Sequence, residues 1–95
     1  MDIDTTLRQI GTGNLFAISG GRFQQLDGCV LLPVAAGYYV SIELEPNDTY
    51  TVCRMFKRGG KVWKKGEVTD VYCEELGETC YRASCYHDEW GIQYA

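Results

Sequence analysis

The stretch TYTVCRMFKRGGKVWKKG, residues 49–66, decides the fold expected for this chain. Two runs rich in β-branched and aromatic residues flank Gly59 and Gly60, and paired glycines supply the positive backbone angles that a two-residue hairpin turn requires. Counting outward from the turn places three cross-strand pairs on one side of the hairpin: Arg58 with Lys61, Phe56 with Trp63, and Arg54 with Lys65. The sequence therefore predicts a β-hairpin, whose register a bulge would change.

The segments before this hairpin carry further strand signals. CVLLPV, residues 29–34, contains Pro33, which cannot donate to a strand ladder and is expected at a sheet edge or a strand end. The run at 38–45 alternates, which puts Val40 and Ile42 on the face predicted to point inward. The expected strands comprise residues 15–19, 22–26, 29–34, 38–45, 49–58 and 61–66.

The N-terminal third combines a helix signal with an apolar run. Asp4 is a typical N-cap residue and Gly11 a typical stop, which predicts a short helix between them. LFAIS, residues 15–19, is a continuous apolar run of strand length, and Gly20-Gly21 would turn it back into a hairpin. These glycines do not form a phosphate loop, because the lysine and the hydroxyl that such a loop needs are missing.

The last third changes to a helical period. Its apolar residues recur at spacings of four, four and three: Tyr72, Leu76, Cys80 and Ala83. Thr69 is a plausible N-cap, and Gly77 would mark a kink or close packing against the sheet. The sequence therefore predicts one α+β domain over residues 1–95. It would contain a small antiparallel β-sheet of hairpins, a short N-terminal helix and one C-terminal helix packed on the sheet.

Charge and cysteine content limit the classes of function. The 13 Asp and Glu residues outnumber 9 Lys and Arg residues, and the formal net charge of −4 disfavours nucleic acid as a partner. Five cysteines are an odd number and no secretory leader is recognisable, so we expect a cytoplasmic protein with reduced thiols. The longest apolar run falls short of the ~20 residues of a membrane-spanning helix, so no membrane partner is expected.

Two groups of like charge stand out. Six of the nine basic residues lie between positions 54 and 65, and acidic residues at 67, 70, 74 and 78 recur at helical spacing. We expect these surfaces to bind a host or phage protein through Glu67, Asp70, Glu74, Glu78, Arg54, Arg58, Lys61 and Lys65. The alternatives are a solvated helix face and a homo-oligomer in which the hairpin of one copy meets the helix of another.

The basic hairpin also supports a nucleic-acid interpretation. Cations interleaved with aromatic rings can bind a single strand through phosphate attraction and base stacking. The residues of this alternative are Arg54, Phe56, Arg58, Lys61, Trp63 and Lys65. The competing interpretation is a cross-strand aromatic pair packed on the terminal helix, with lysines around a solvated tip.

Sulfur and imidazole donors cluster near the end of the predicted helix. Cys80, Cys85 and His87 would need Cys73 as a fourth zinc ligand, and their spacing differs from that of zinc knuckles. Cys85 and His87 have no identifiable third group or oxyanion hole for nucleophilic catalysis. We therefore expect buried thiols used as small apolar residues, with no metal, no cofactor and no enzymatic activity.

Four segments together carry a family resemblance: LRQIG (7–11), NLFAISGGR (14–22), NDTYTVCRMFKRGGKVWKKGE (47–67) and VYCEELGETCYRASCY (71–86). The chain resembles small, mostly uncharacterised proteins of actinobacteriophages, especially mycobacteriophages, and of related actinobacterial mobile elements. The resemblance brings no catalytic residues. It implies an accessory factor that binds a host or phage protein, or counters a defence system, in the host cytoplasm. Cysteines at 29, 53 and 73 depart from the family pattern and weigh further against a shared metal site.

Overall fold

The chain folds as an antiparallel meander with helices packed on one face. A computed structural model describes residues 2–85 and 90–93. The helices are α1 (Ile3–Ile10), α2 (Thr12–Ser19) and α3 (Leu76–Ser84), with a 3₁₀ turn at Cys73–Glu75. The strands are β1 (Gln24–Leu26), β2 (Cys29–Pro33), β3 (Tyr38–Leu44), β4 (Tyr50–Arg58), β5 (Lys61–Val71) and β6 (Ile92–Gln93). Each strand pairs antiparallel with the next, so the predicted α+β class with an antiparallel sheet is confirmed.

The β4–β5 hairpin forms as predicted near its turn and departs from the predicted register further out. Arg58 lies opposite Lys61 and Phe56 opposite Trp63. The predicted pairing of Arg54 with Lys65 is wrong, because a register shift beyond the Met55–Lys64 pair places Gly66 opposite Arg54. Lys65 is the extra residue of this bulge.

The predicted strand at 15–19 is wrong, because these residues lie in α2. Gly20 adopts a left-handed conformation (φ 66°) and its N–H donates to Phe16 O over 2.9 Å. The bond from Gly20 to the carbonyl four residues back is that of an αL helix end, and the N–H of Gly21 also donates to Leu15 O over 3.3 Å. The two glycines therefore end a helix and do not turn a hairpin.

The first helix begins earlier than predicted and ends where predicted. Asp2, not Asp4, is the N-cap: its Oδ1 accepts from the Asp4 N–H over 3.1 Å. Gly11, with φ 92°, ends α1 and also occupies the N-cap position of α2. The predicted N-terminal helix is therefore present, and a second short helix follows it directly at the same glycine.

The C-terminal helix is shorter than predicted. Strand β5 continues through Thr69 to Val71, so Thr69 is not a helix cap, and α3 begins at Leu76. A Cβ atom at Gly77 would collide with the Ile10 carbonyl oxygen of α1. Close packing at this glycine is confirmed, although it is against a helix and not against the sheet.

One face of the sheet and the helices share the core. The fully buried core side chains include Val30, Leu32, Val40, Ile42 and Val52 from the strands and Ile10, Leu76, Cys80 and Ala83 from the helices. We call the sheet face that carries Val40 and Ile42 the covered face, and the prediction that these residues point inward is confirmed. No helix among residues 2–85 and 90–93 has the length and apolar character needed to cross a membrane.

Candidate binding surfaces

Three aromatic rings lie side by side on the covered face near the hairpin turn. Tyr38, Phe56 and Trp63 occupy neighbouring positions on β3, β4 and β5. The ring centroids of Tyr38 and Phe56 are 4.8 Å apart, and those of Phe56 and Trp63 are 5.8 Å apart. Trp63 is 39% exposed, so the row reaches solvent at β5 and is not part of the buried core. The cross-strand aromatic pair expected from the sequence is present.

Two exposed cations extend this aromatic row to the hairpin tip. Arg58 follows Phe56 by two residues and Lys61 precedes Trp63 by two, so all four share a side of the hairpin. Within the described residues, neither Arg58 nor Lys61 makes an ion pair. We call Tyr38, Phe56, Trp63, Arg58 and Lys61 the aromatic–cationic surface. Lys65 lies half-buried in the bulge at its border.

Arg54 has a different environment from the other predicted cations. It is 4% exposed, and its Nε donates to Ala83 O over 2.8 Å. Its Nη2 donates to Arg82 O over 3.1 Å and to Cys85 O over 3.0 Å. Trp90 lies beside it, with the ring centroid 5.4 Å from the guanidinium carbon. A cation at the carbonyl end of α3 interacts favourably with the helix dipole and bonds the last carbonyls. Arg54 therefore stabilises the fold, and its burial keeps it from contacting a partner.

The predicted acidic stripe on the C-terminal helix is not formed. Glu67 and Asp70 lie on β5, Glu74 lies in the 3₁₀ turn, and Glu78 lies on α3. Glu67 accepts a hydrogen bond from the Nζ of Lys64 over 2.9 Å. Glu67 and Asp70 line one hollow beside β5, whereas Glu74 and Glu78 lie in the C-terminal 3₁₀ turn and helix. The four carboxylates therefore form no single stripe, because the helical spacing in the sequence runs across the end of a strand.

The sheet face opposite the covered face carries a second surface that the sequence reasoning missed. We call this the open face, and along β2 to β5 it carries Leu31, Tyr39, Ser41, Glu43, Cys53, Met55, Lys57, Val62, Lys64 and Glu67. Its end near the hairpin turn borders an apolar groove of about 900 Å³ lined by Leu31, Tyr39, Lys57 and Val62, among others. Its other end borders a hollow lined by Glu43, Glu45 and Asp70. The alternation of β3 could have indicated this surface, because it places the aromatic Tyr39 on the side facing away from the core.

The described thiols lie apart and do not assemble a metal site. Burial raises the pKa of Cys80 to about 12 and that of Cys53 to about 11. Cys73 is exposed, and a hydrogen bond to Glu74 raises its pKa. Within the described part of the chain, no group of three or more potential metal ligands converges. His87, the imidazole of the predicted cluster, lies outside the described residues.

Comparisons with protein-family models, with curated proteins and with solved structures find no match to the chain. The resemblance to actinobacteriophage proteins therefore stays a prediction carried by the sequence segments. Of the predicted site residues, Arg58, Lys61, Phe56 and Trp63 come together at the hairpin tip, with Lys65 at the border. Tyr38 is the member of that surface which the sequence reasoning did not include.

Proposed function

We propose that this chain is a non-enzymatic accessory protein of an actinobacteriophage or related mobile element, which binds a host or phage protein in the host cytoplasm. The observation that supports this proposal most is the aromatic–cationic surface, where a partly exposed Trp63 lies beside the exposed cross-strand pair of Arg58 and Lys61. Tryptophan, tyrosine and arginine are the residue types that contribute most of the binding free energy at protein interfaces. The family resemblance supports the phage context.

The chemistry of this surface defines the partner it fits. A partner segment with carboxylates to one side of an apolar side chain would cover Trp63 and face both cations. Charge complementarity would accelerate encounter and set the orientation, while burial of the indole would slow dissociation. The expected partner is therefore an acidic protein segment with an apolar residue next to its carboxylates.

Affinity capture from a lysate of infected actinobacterial host cells tests this proposal. Wild-type protein and the variants Arg58→Glu and Trp63→Ala serve as bait, and captured proteins are quantified by mass spectrometry. We expect a captured protein with an acidic surface segment whose recovery falls at least about tenfold with either variant, equivalent to about 1.4 kcal/mol.

Arg8→Glu is the matched control, because it makes the same charge change on α1, away from the hairpin. The expected partner is retained by this control. Capture that is equal for wild type, Arg58→Glu and Trp63→Ala would exclude the aromatic–cationic surface as the binding site.

A further inference from the structure

From the outer edge of β5 we infer that the acidic partner segment binds in an extended conformation, as an additional strand hydrogen-bonded to residues 61–65. This inference rests on the proposed function, because it concerns the same aromatic–cationic surface. It adds the conformation of the partner segment and its side-chain pattern, which is acidic, apolar, apolar, acidic.

The outer side of β5 offers backbone groups to a further strand. Strand β6 pairs with β5 only at Gly66 and Glu67, so within the described chain residues 61–65 have β4 on one side and no strand on the other. The opposite edge of the sheet, β1, is three residues long and carries no charged side chain. An extended peptide that adds to a sheet edge gains affinity from main-chain hydrogen bonds.

Two residues of this edge direct their backbone groups outward. The N–H of Lys57 donates to Gly37 O over 2.9 Å, on the β3 side of β4, so Lys57 and its partner Val62 exchange no hydrogen bond. The N–H and C=O of Val62 therefore point away from β4. Those of Lys64, two residues further along β5, point the same way. An added strand would form hydrogen bonds with both residues.

The alternating side chains of the edge define what the added strand carries. Lys61 and Trp63 lie on the covered face, and Val62 and Lys64 lie on the open face. Directly opposite residues of neighbouring strands have Cβ atoms about 5 Å apart, which favours opposite charges and apolar pairs. A carboxylate therefore fits opposite each lysine, and an apolar side chain fits opposite the exposed Val62 and Trp63. This pattern reads the same in both chain directions, so it suits an added strand of either orientation.

Charge favours an acidic segment over a second copy as the occupant of the edge. Lys61 and Lys64 are exposed and Lys65 is half-buried along it. Pairing with β5 of a second copy would bring these lysines together, and like charges along an edge oppose such pairing. Lys64 already donates to Glu67 over 2.9 Å, so we expect the carboxylate opposite Lys61 to contribute more to the affinity.

A nuclear magnetic resonance titration of the full chain with a synthetic peptide tests strand addition. The probe is an acetylated and amidated peptide of about eight residues, with the core glutamate–valine–valine–glutamate between threonines. We expect amide exchange at Val62 and Lys64 to slow on binding, because these N–H groups gain acceptors, while the amide of Trp63 faces β4 and changes little. A control peptide with the core valine–glutamate–glutamate–valine has the same composition and charge, and it should bind at least about tenfold more weakly.

Methylation of single peptide nitrogens separates strand addition from docking through side chains alone. Alternate N–H groups of a strand point to the same side, so only one valine of the core directs its N–H toward β5. In either orientation this is the second valine, because the outward groups belong to Val62 and Lys64. Its N-methylation should raise the dissociation constant at least about tenfold, whereas N-methylation of the first valine should leave the constant nearly unchanged.

Substitutions in the protein distinguish this inference from the proposed function. Trp63→Ala and Lys61→Glu should each weaken binding of the peptide at least about fivefold, and Arg8→Glu should bind it as the wild type does. If these variants behave so while the two N-methylated peptides bind alike, the aromatic–cationic surface is the binding site but strand addition is wrong.

Three results overturn the inference. The glutamate–valine–valine–glutamate peptide does not bind at about 1 mM. The two N-methylated peptides bind equally well. The amides of Val62 and Lys64 are already protected from exchange in the peptide-free protein, which would show that another segment or a second copy occupies the edge. None of these results decides the outcome of lysate capture, so failure of strand addition and failure of the proposed function stay distinguishable.

Discussion

Arg54 and Ala83 are joined by a hydrogen bond of 2.8 Å from the guanidinium Nε to the backbone carbonyl, which ties the middle of β4 to the last turn of α3. The same guanidinium reaches the carbonyls of Arg82 and Cys85. One buried side chain on the sheet thus donates hydrogen bonds to three carbonyl groups at the C-terminal end of α3.

Replacing Arg54 with methionine should destabilise the fold strongly. Methionine keeps much of the buried volume but removes every donor, so carbonyls at the end of α3 lose their partners. We expect the free energy of unfolding to fall by about 3 kcal/mol in urea denaturation. The free energy of unfolding of Arg54→Lys should lie between those of the wild type and the methionine variant. An ammonium keeps the positive charge but lacks the planar set of donors of a guanidinium. A methionine variant as stable as the wild type would contradict a structural role for Arg54.

Substitution of two helical glycines by alanine should act in opposite directions. Gly77→Ala places a methyl group against Ile10 O and 2.5 Å from Asn14 Nδ2, so it should cost about 2 kcal/mol despite the better helix propensity. At Gly13 of α2 a Cβ atom meets nothing within 4 Å, so Gly13→Ala should stabilise by about 0.5 kcal/mol. Thermal unfolding measures both, and a Gly77→Ala variant at least as stable as the wild type would refute the contact between α3 and α1.

Stability should fall at alkaline pH because of Cys80. Burial raises the pKa of Cys80 in the folded state to about 12, against an ordinary thiol value of 9.0, so the folded state retains a proton that the unfolded state loses. This contribution is complete below pH 9 and is lost as the pH rises toward 12, at up to about 1.4 kcal/mol per pH unit.

Denaturation of wild type and Cys80→Ala between pH 8 and about pH 10.5 isolates this effect, because other alkaline titrations are common to both proteins. The alanine variant should show the shallower decline. Thiol labelling of the native protein at pH 8 should leave Cys80 unmodified while exposed Cys73 reacts. Early labelling of Cys80 would show that the thiol is not buried.

The chain should not bind nucleic acid with the salt dependence of an electrostatic contact. Arg54 is buried and Lys64 is hydrogen-bonded to Glu67, which leaves fewer cations than the sequence suggested, on a chain of formal charge −4. A gel-shift series with single- and double-stranded DNA and RNA at low salt measures this. A shift that disappears in both Trp63→Ala and Lys61→Glu would favour the nucleic-acid alternative.

Local patterns predicted the central strands well. Alternation identified the inward face of β3, and the paired glycines fixed the turn and first pairs of the β4–β5 hairpin. The strand prediction for LFAIS, residues 15–19, is wrong because a short, continuous apolar run shows no periodicity. Such a run is equally compatible with a buried strand and with a helix. The glycines that follow it are compatible with a hairpin turn or with a helix end.

Errors in the candidate site came from contacts between distant residues. Val71 pairs with Tyr50, so β5 continues to Val71. The helical spacing of the acidic residues had predicted that part of this segment belongs to the C-terminal helix. Arg54 is buried against backbone carbonyls near residue 83, which lie 29 residues further along the chain. A local sequence pattern carries no information about a contact between residues so far apart in sequence. The bulge at Lys65 likewise arises from pairing and not from composition. Only the hairpin-tip residues, whose partners are close in sequence, were placed together correctly.

The length of β5 has a consequence for solubility. Strand β5 spans 11 residues, but β6 pairs with it only at Gly66 and Glu67. Within the described chain, residues 61–65 therefore have β4 on one side and no strand on their outer side. An exposed edge invites strand addition from another molecule, and lysines along such an edge oppose it by charge repulsion. Lys61, Lys64 and Lys65 lie along this edge, and we expect their charge to oppose fibrillar pairing of one copy with another.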